Sequence, residues 1–134
     1  MKMVVFKLSG RKSVKNFNSF TSLLSSSVVE KDVENAYRQL LSENFQDFYV
    51  YSPHGCDGYY SNMVIRLLLE AKYNENFSKS RSALCGALIQ AIYYIKLFEI
   101  NGEQLPNIIL IGDRKECFVI HGNQLYEYLN EKVD

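Results

Sequence analysis

The stretch VIRLLLEAK, residues 64–72, decides how the chain is read. It runs apolar from Val64 to Leu69, with one interruption at Arg66, and then ends on Glu70 and Lys72. In a β-strand alternate side chains share a face, so Val64, Arg66, Leu68, Glu70 and Lys72 point one way. Ile65, Leu67, Leu69 and Ala71 point the other way. Both faces are apolar as far as Leu69, the mark of an interior strand covered on both sides. A carboxylate at the inner end of such a strand costs several kcal/mol unless it is paired or binds a metal. A salt bridge between Glu70 and Lys72 explains the pair only weakly at that place.

Working outward, PHGCDG (53–58) reads as a turn, and YYSN leads into a hairpin whose second strand is 64–72. With the reversal near Ser61-Asn62, Asp57 returns to the neighbourhood of Glu70. Two acids meeting at a sheet end require a cation, and oxygen donors of this kind suit Mg²⁺ or Mn²⁺. The Ala71 carbonyl could add a ligand. Lys72, pointing the same way as Glu70, would hold or help deprotonate a water and stabilise charge developing on a phosphate.

The remaining segments supply layers around this hairpin. A strand is expected at KMVVFKL (2–8), then irregular structure with at most one helical turn through the Ser-rich 9–27. A helix runs on from Val28, with Val29, Val33, Ala36, Tyr37, Leu40 and Leu41 as its apolar stripe and Ser27 as N-cap. FQDFYVYS (45–52) alternates like a strand. After a polar loop capped by Ser78 or Ser80 comes a long helix over 81–100, stopped by Asn101-Gly102. Strands at NIILIGD (107–113) and ECFVIH (116–121) and a short helix from Asn123 complete the order. That alternation gives an α/β layered sandwich, read as one domain over 1–134 with a basic, Ser-rich segment at 1–27.

Composition narrows the classes. The net charge is zero, so the molecule as a whole has no electrostatic bias toward nucleic acid or membrane. Lys2, Lys7, Arg11, Lys12 and Lys15 nevertheless meet no acid before Glu30. The 10 tyrosines and 8 phenylalanines suit a filled core with sheet content. Cys56, Cys85 and Cys117 form no CxxC, which argues against a disulfide framework and fits reduced, cytoplasmic thiols. His54, Cys56, Cys117 and His121 could in principle converge on a soft metal, but pairs so isolated are more often incidental. No apolar stretch is expected to reach the ~20 residues of a membrane span, and the start is too quickly polar for a secretion signal.

Asp57, then Glu70-Ala71-Lys72, resembles the signature of the PD-(D/E)xK nuclease superfamily: an acid followed by acid-x-Lys on a hairpin. The resemblance covers roughly residues 28–121. It implies a restriction-endonuclease-like three-layer α/β/α sandwich with a central mixed sheet. The family's helix acid would be Glu34 or Glu30, and its Gln-x-x-x-Tyr would be Gln90 and Tyr94, with Ala83, Gly86 and Ala87 allowing that helix close to the sheet. Residues 55–58 read Gly-Cys-Asp-Gly, so the Pro that often precedes the first acid is absent here. By resemblance, Asp57 and Glu70 would hold Mg²⁺ or Mn²⁺, and Lys72, Gln90 and Glu34 would complete the catalytic set. Lys79, Arg81 and Lys12 would contact DNA phosphates. The segment from Leu105 to Leu125 is similar to the stretch C-terminal to this motif in nuclease domains at the front of restriction-modification proteins. The resemblance therefore implies a Mg²⁺-dependent endodeoxyribonuclease, with a DNA methyltransferase region of the same polypeptide as a further partner. Two copies could pair to cut both strands. The alternatives are a catalytically inactive nuclease-like module for DNA or protein contact, and a small-ligand sensory domain.

Overall fold

The computed structural model describes residues 3–7, as backbone, and residues 16–129. Strand β1 is Met3–Lys7, helices α1 and α2 are Phe17–Ser26 and Glu30–Asn44, and strands β2, β3 and β4 are Tyr49–Tyr51, Gly58–Ser61 and Arg66–Ala71. Helix α3 is Arg81–Ile100, strands β5 and β6 are Ile108–Gly112 and Glu116–His121, and α4 is Asn123–Tyr126. The six strands lie in the order β1-β6-β5-β4-β3-β2. Only β4 and β5 run parallel, and α3 is the crossover between them; every other neighbouring pair is antiparallel.

Strand β4 is central and covered on both faces, as its sequence requires. Leu68 faces α3 and packs with Ala87, Ala91, Ile95 and Phe98, alongside Ile109 and Ile111 of β5. Leu67, Leu69 and Ala71 face the other way, onto Val33, Ala36 and Tyr37 of α2 and Phe20 and Leu24 of α1. Helices thus cover both faces of an open mixed sheet, an arrangement compatible with a three-layer sandwich. Burying a Leu in such a layer contributes about 2 kcal/mol.

One close approach fixes α2 against the sheet. A Cβ on Gly112 would lie 2.3 Å from Tyr37 Cζ, so only glycine admits that ring over the end of β5. The Tyr37 hydroxyl then donates to the Asp113 carbonyl at 2.8 Å, and burial pushes its pKa up.

Several expectations need correction. The Ser-rich segment, where it is described, forms the ten-residue helix α1 rather than irregular chain. Phe17, Phe20 and Leu24 recur at i, i+3, i+7, and that stripe outweighs the weak helix preference of the serines. Ser27 does not cap α2: its hydroxyl donates to Leu24 O at 2.6 Å, while Asp32 takes the N–H groups of Val28 and Val29. Val29 is exposed and lies outside the apolar stripe. On α3, Ser80 is the cap, accepting from Ala83 N. Ala87 and Ala91 are the small residues against the sheet, whereas Gly86 faces outward with nothing within 4 Å of a built Cβ. Helix α3 is also long and apolar enough to meet the length and composition of a membrane span, contrary to expectation; here it lies along the sheet.

Candidate active site

The hairpin register brings the first two acids together. The register ends with Gly58 opposite Leu69, so Asp57, directly before β3, comes beside the stretch of β4 that carries Glu70. Asp57 Oδ2 accepts the Ala71 N–H at 2.7 Å, which seats its carboxylate at the end of β4. The other end of the pair is Glu70, whose side chain is 2% exposed. Its Oε1 lies 3.2 Å from Lys72 Nζ, and its Oε2 is buried without a hydrogen-bond partner.

Lys72 is held from a second element. Its Nζ donates to Gln90 Oε1 at 2.6 Å, so α3 and β4 together fix the ammonium beside Glu70. Tyr94, one turn on, donates to the Gly55 carbonyl at 3.3 Å. Gln90 thus reaches Lys72, and Tyr94 is a half-buried bracket at the core margin.

The electrostatics reflect this crowding. Burial first, and the Asp57 charge second, push the Glu70 carboxyl up to about 7, against the opposing pull of Lys72. Asp57 is also raised, by burial, then by the charges of Glu34 and Glu30, with the Ala71 N–H acting the other way. Glu70 and its neighbours hold the Lys72 ammonium above its ordinary range despite the desolvation that opposes them. An excess of negative charge in a partly dry site, with one buried oxygen unpartnered, is an environment that favours a cation.

Glu34 sits on the opposite side of the sheet from Glu70, buried on α2, with Lys31 Nζ at 2.8 Å and Arg38 Nη1 at 4.0 Å. Glu34 acts more strongly than Glu30 on Asp57, whereas Glu30, not Glu34, acts on Glu70 and Lys72. Both acids therefore act on the site electrostatically, and Glu34 is held by Lys31 and Arg38. Among the described residues no three His, Cys, Asp or Glu side chains converge as a metal cluster. The donor set is two carboxylates, and Mg²⁺ commonly takes one or two together with several waters, so the residues present fit such an ion.

The soft-metal alternative does not form among these residues. His54 pairs with Glu103, exposed His121 ends β6, and Cys56 and Cys117 lie in cores on opposite faces of the sheet. Burial pushes the Cys56 thiol up to about 12, which suits an inert core residue. Lys79 and Arg81 are exposed beside the start of α3; Lys12 lies outside the described residues.

Two buried acids had no place in the sequence reading. Asp113 accepts from Lys115 N, Glu116 N and Glu75 N at 2.8, 3.0 and 3.2 Å, and Glu116 Oε1 accepts from Ser78 N at 2.8 Å. They fasten the loop that runs from Lys72 to α3 onto the β5–β6 turn. The signal for it was Gly-Asp-Arg-Lys at 112–115, a stretch in which Asp bonds the backbone two residues ahead. Comparison of the chain with family models, with curated proteins and with solved structures yields no match.

Proposed function

We propose that this chain is a restriction-endonuclease-like, Mg²⁺-dependent domain that hydrolyses DNA phosphodiester bonds within a restriction or defence system. The observation that carries the reading is Asp57 seated on the Ala71 N–H beside Glu70, with Glu70 Oε2 buried and unpartnered. Asp57 and Glu70 would hold the ion. When bound, a divalent cation supplies Lewis acidity toward a phosphodiester oxygen and the attacking water. Lys72 brings an ammonium already oriented by Gln90, able to fix a water by hydrogen bonding and to meet charge as it develops on the phosphate. The charge of Glu30, which acts on Asp57, Glu70 and Lys72, adds to the negative field that favours a cation. Lys79 and Arg81, exposed after the Lys72 loop, suit sequence-independent contacts to the DNA backbone.

The test is plasmid nicking by wild type and Lys72→Ala in Mg²⁺, Mn²⁺ and EDTA. Nicking by the wild type with either metal, abolished by EDTA and by the substitution, supports the reading; equal residual activity in both proteins refutes it.

A second reading has its own observation. Glu34 is already neutralised by Lys31 and Arg38, and Glu70 has Lys72 at 3.2 Å. An inactive nuclease-like module, with these charges left as ion pairs, would show no response to Mg²⁺ and would tolerate Glu70→Gln.

A further inference from the structure

Asp57 is delivered by the segment 52–57, which leaves β2 through a single 3₁₀ turn, Pro53–Gly55. That turn is an unusual piece of backbone. His54 and Gly55 are consecutive left-handed residues, with φ of 59° and 79°. Left-handed backbone is uncommon outside glycine, although histidine, asparagine and aspartate enter it more readily than most residues. Three contacts hold the turn. His54 Nε2 lies 2.6 Å from Glu103 Oε1, in the turn after α3. The His54 ring stands edge-on to Phe98, with centroids 5.0 Å apart. The next carbonyl, of Gly55, takes the Tyr94 hydroxyl. Cys56 then enters the core on the α3 side, and Asp57 comes directly after it.

These contacts share one origin. Gln90, Tyr94 and Phe98 recur at i, i+4, i+8 along α3 and form a single ridge. The first holds Lys72, the second Gly55 and the third His54. One helix edge therefore aligns both halves of the site: the ammonium from β4 and the carboxylate from the β2–β3 connection.

We propose that His54 is a positioning residue for Asp57: clasped to Glu103 and seated on Phe98, it holds the 52–57 segment so that the Asp57 carboxylate stands at the end of β4. The role of that carboxylate as a cation ligand rests on the proposed function; the clasp itself does not. Glu103 is the second member of the device, joined to His54 from the turn that ends α3.

The hydrogen bond from Ala71 N–H to Asp57 Oδ2 is a built-in reporter. Amide hydrogen exchange at Ala71 is measured on the full chain without metal, for wild type, His54→Asn, Glu103→Ala, Glu103→Gln and the His54→Asn/Glu103→Ala double variant. Asn tolerates the left-handed backbone but is too short to reach Glu103. The proposal expects Ala71 exchange to rise about tenfold in His54→Asn and in Glu103→Ala, and no further in the double variant, since the two residues act as a unit. Glu103→Gln, which keeps the acceptor oxygen, stays near wild type. The Ile109 amide in β5 is the internal reference for intact folding. Unchanged Ala71 exchange in both single variants overturns the proposal. A second readout is the Mg²⁺ concentration at half-maximal Tm shift, expected to rise about tenfold in the same two variants. If Ala71 responds while wild type shows no Mg²⁺-dependent shift, the clasp stands and the cation reading falls.

Discussion

Replacing Glu70 with glutamine separates a metal ligand from an ordinary ion-pair partner. Folded, Glu70 holds its proton to about pH 7, against 4.5 for the ordinary group, chiefly because it is buried and faces Asp57. The folded state therefore binds the proton more tightly than the unfolded one. Without a cation the stability associated with Glu70 is full below pH 4.5 and is lost as the pH rises through about 7. At about 1.4 kcal/mol per pH unit that loss is of order 3 kcal/mol. Asp57, also raised, titrates in the same sense. Glutamine fills the same space and carries no charge, so the loss disappears. The contact with Lys72 at 3.2 Å already enters that value as an opposing pull, so it is not subtracted again. Glu70→Gln is thus expected to be more stable than wild type by about 3 kcal/mol in EDTA at pH 8, roughly 12 °C in Tm for a domain of this size. In Mg²⁺ the difference closes. A ligand at a hundred times its Kd adds about 2.7 kcal/mol to a protein that binds it, and the variant has lost half the donor set. The assay is thermal unfolding from pH 5 to 8, with EDTA and with Mg²⁺. A Glu70→Gln protein that melts below wild type in EDTA at pH 8, or a wild-type profile flat across that range, refutes the reasoning.

Further substitutions test individual parts. Lys72→Ala should lower Mg²⁺-dependent nicking by about 100- to 1000-fold, with binding to DNA, measured by gel shift in Ca²⁺, nearly unchanged. Gly112→Ala should destabilise by about 3 kcal/mol in urea unfolding, since the new methyl falls 2.3 Å from the Tyr37 ring, and the Gly112→Ala/Tyr37→Ala double variant should lose less than the sum of the two single losses. Ser80→Ala removes the acceptor for Ala83 N–H and should cost about 1 kcal/mol by the same measurement.

Much of this architecture was legible in the sequence because its signals are local. The apolar run 64–69 named the covered strand, and Asp57 came beside the end of β4, on the Ala71 N–H, because hairpin register is set by the turn between the strands. Gln90 and Tyr94 share one ridge of α3 because they stand at i, i+4, whereas the meeting of that ridge with Lys72 and Gly55 follows from how α3 lies on the sheet. Helix α1 was missed because serine is a poor guide to conformation, and the Phe17, Phe20, Leu24 stripe that decides it is only three residues long. The neutralisation of Glu34 by Lys31 and Arg38 was open to reading, since both stand within one turn. The His54–Glu103 clasp was not, because its members are 49 residues apart and meet only after α3 is laid on the sheet. The anchors Asp113 and Glu116 were hidden for the same reason: their partners Glu75 and Ser78 lie 38 residues away.

The central claim is that one divalent ion sits between Asp57 and Glu70. Anomalous scattering from a crystal soaked in Mn²⁺ locates it directly. The account predicts a single strong peak within about 2.2 Å of oxygens from both carboxylates, Oε2 among those of Glu70. A map with no peak there, or with manganese bound only elsewhere on the surface, would contradict it.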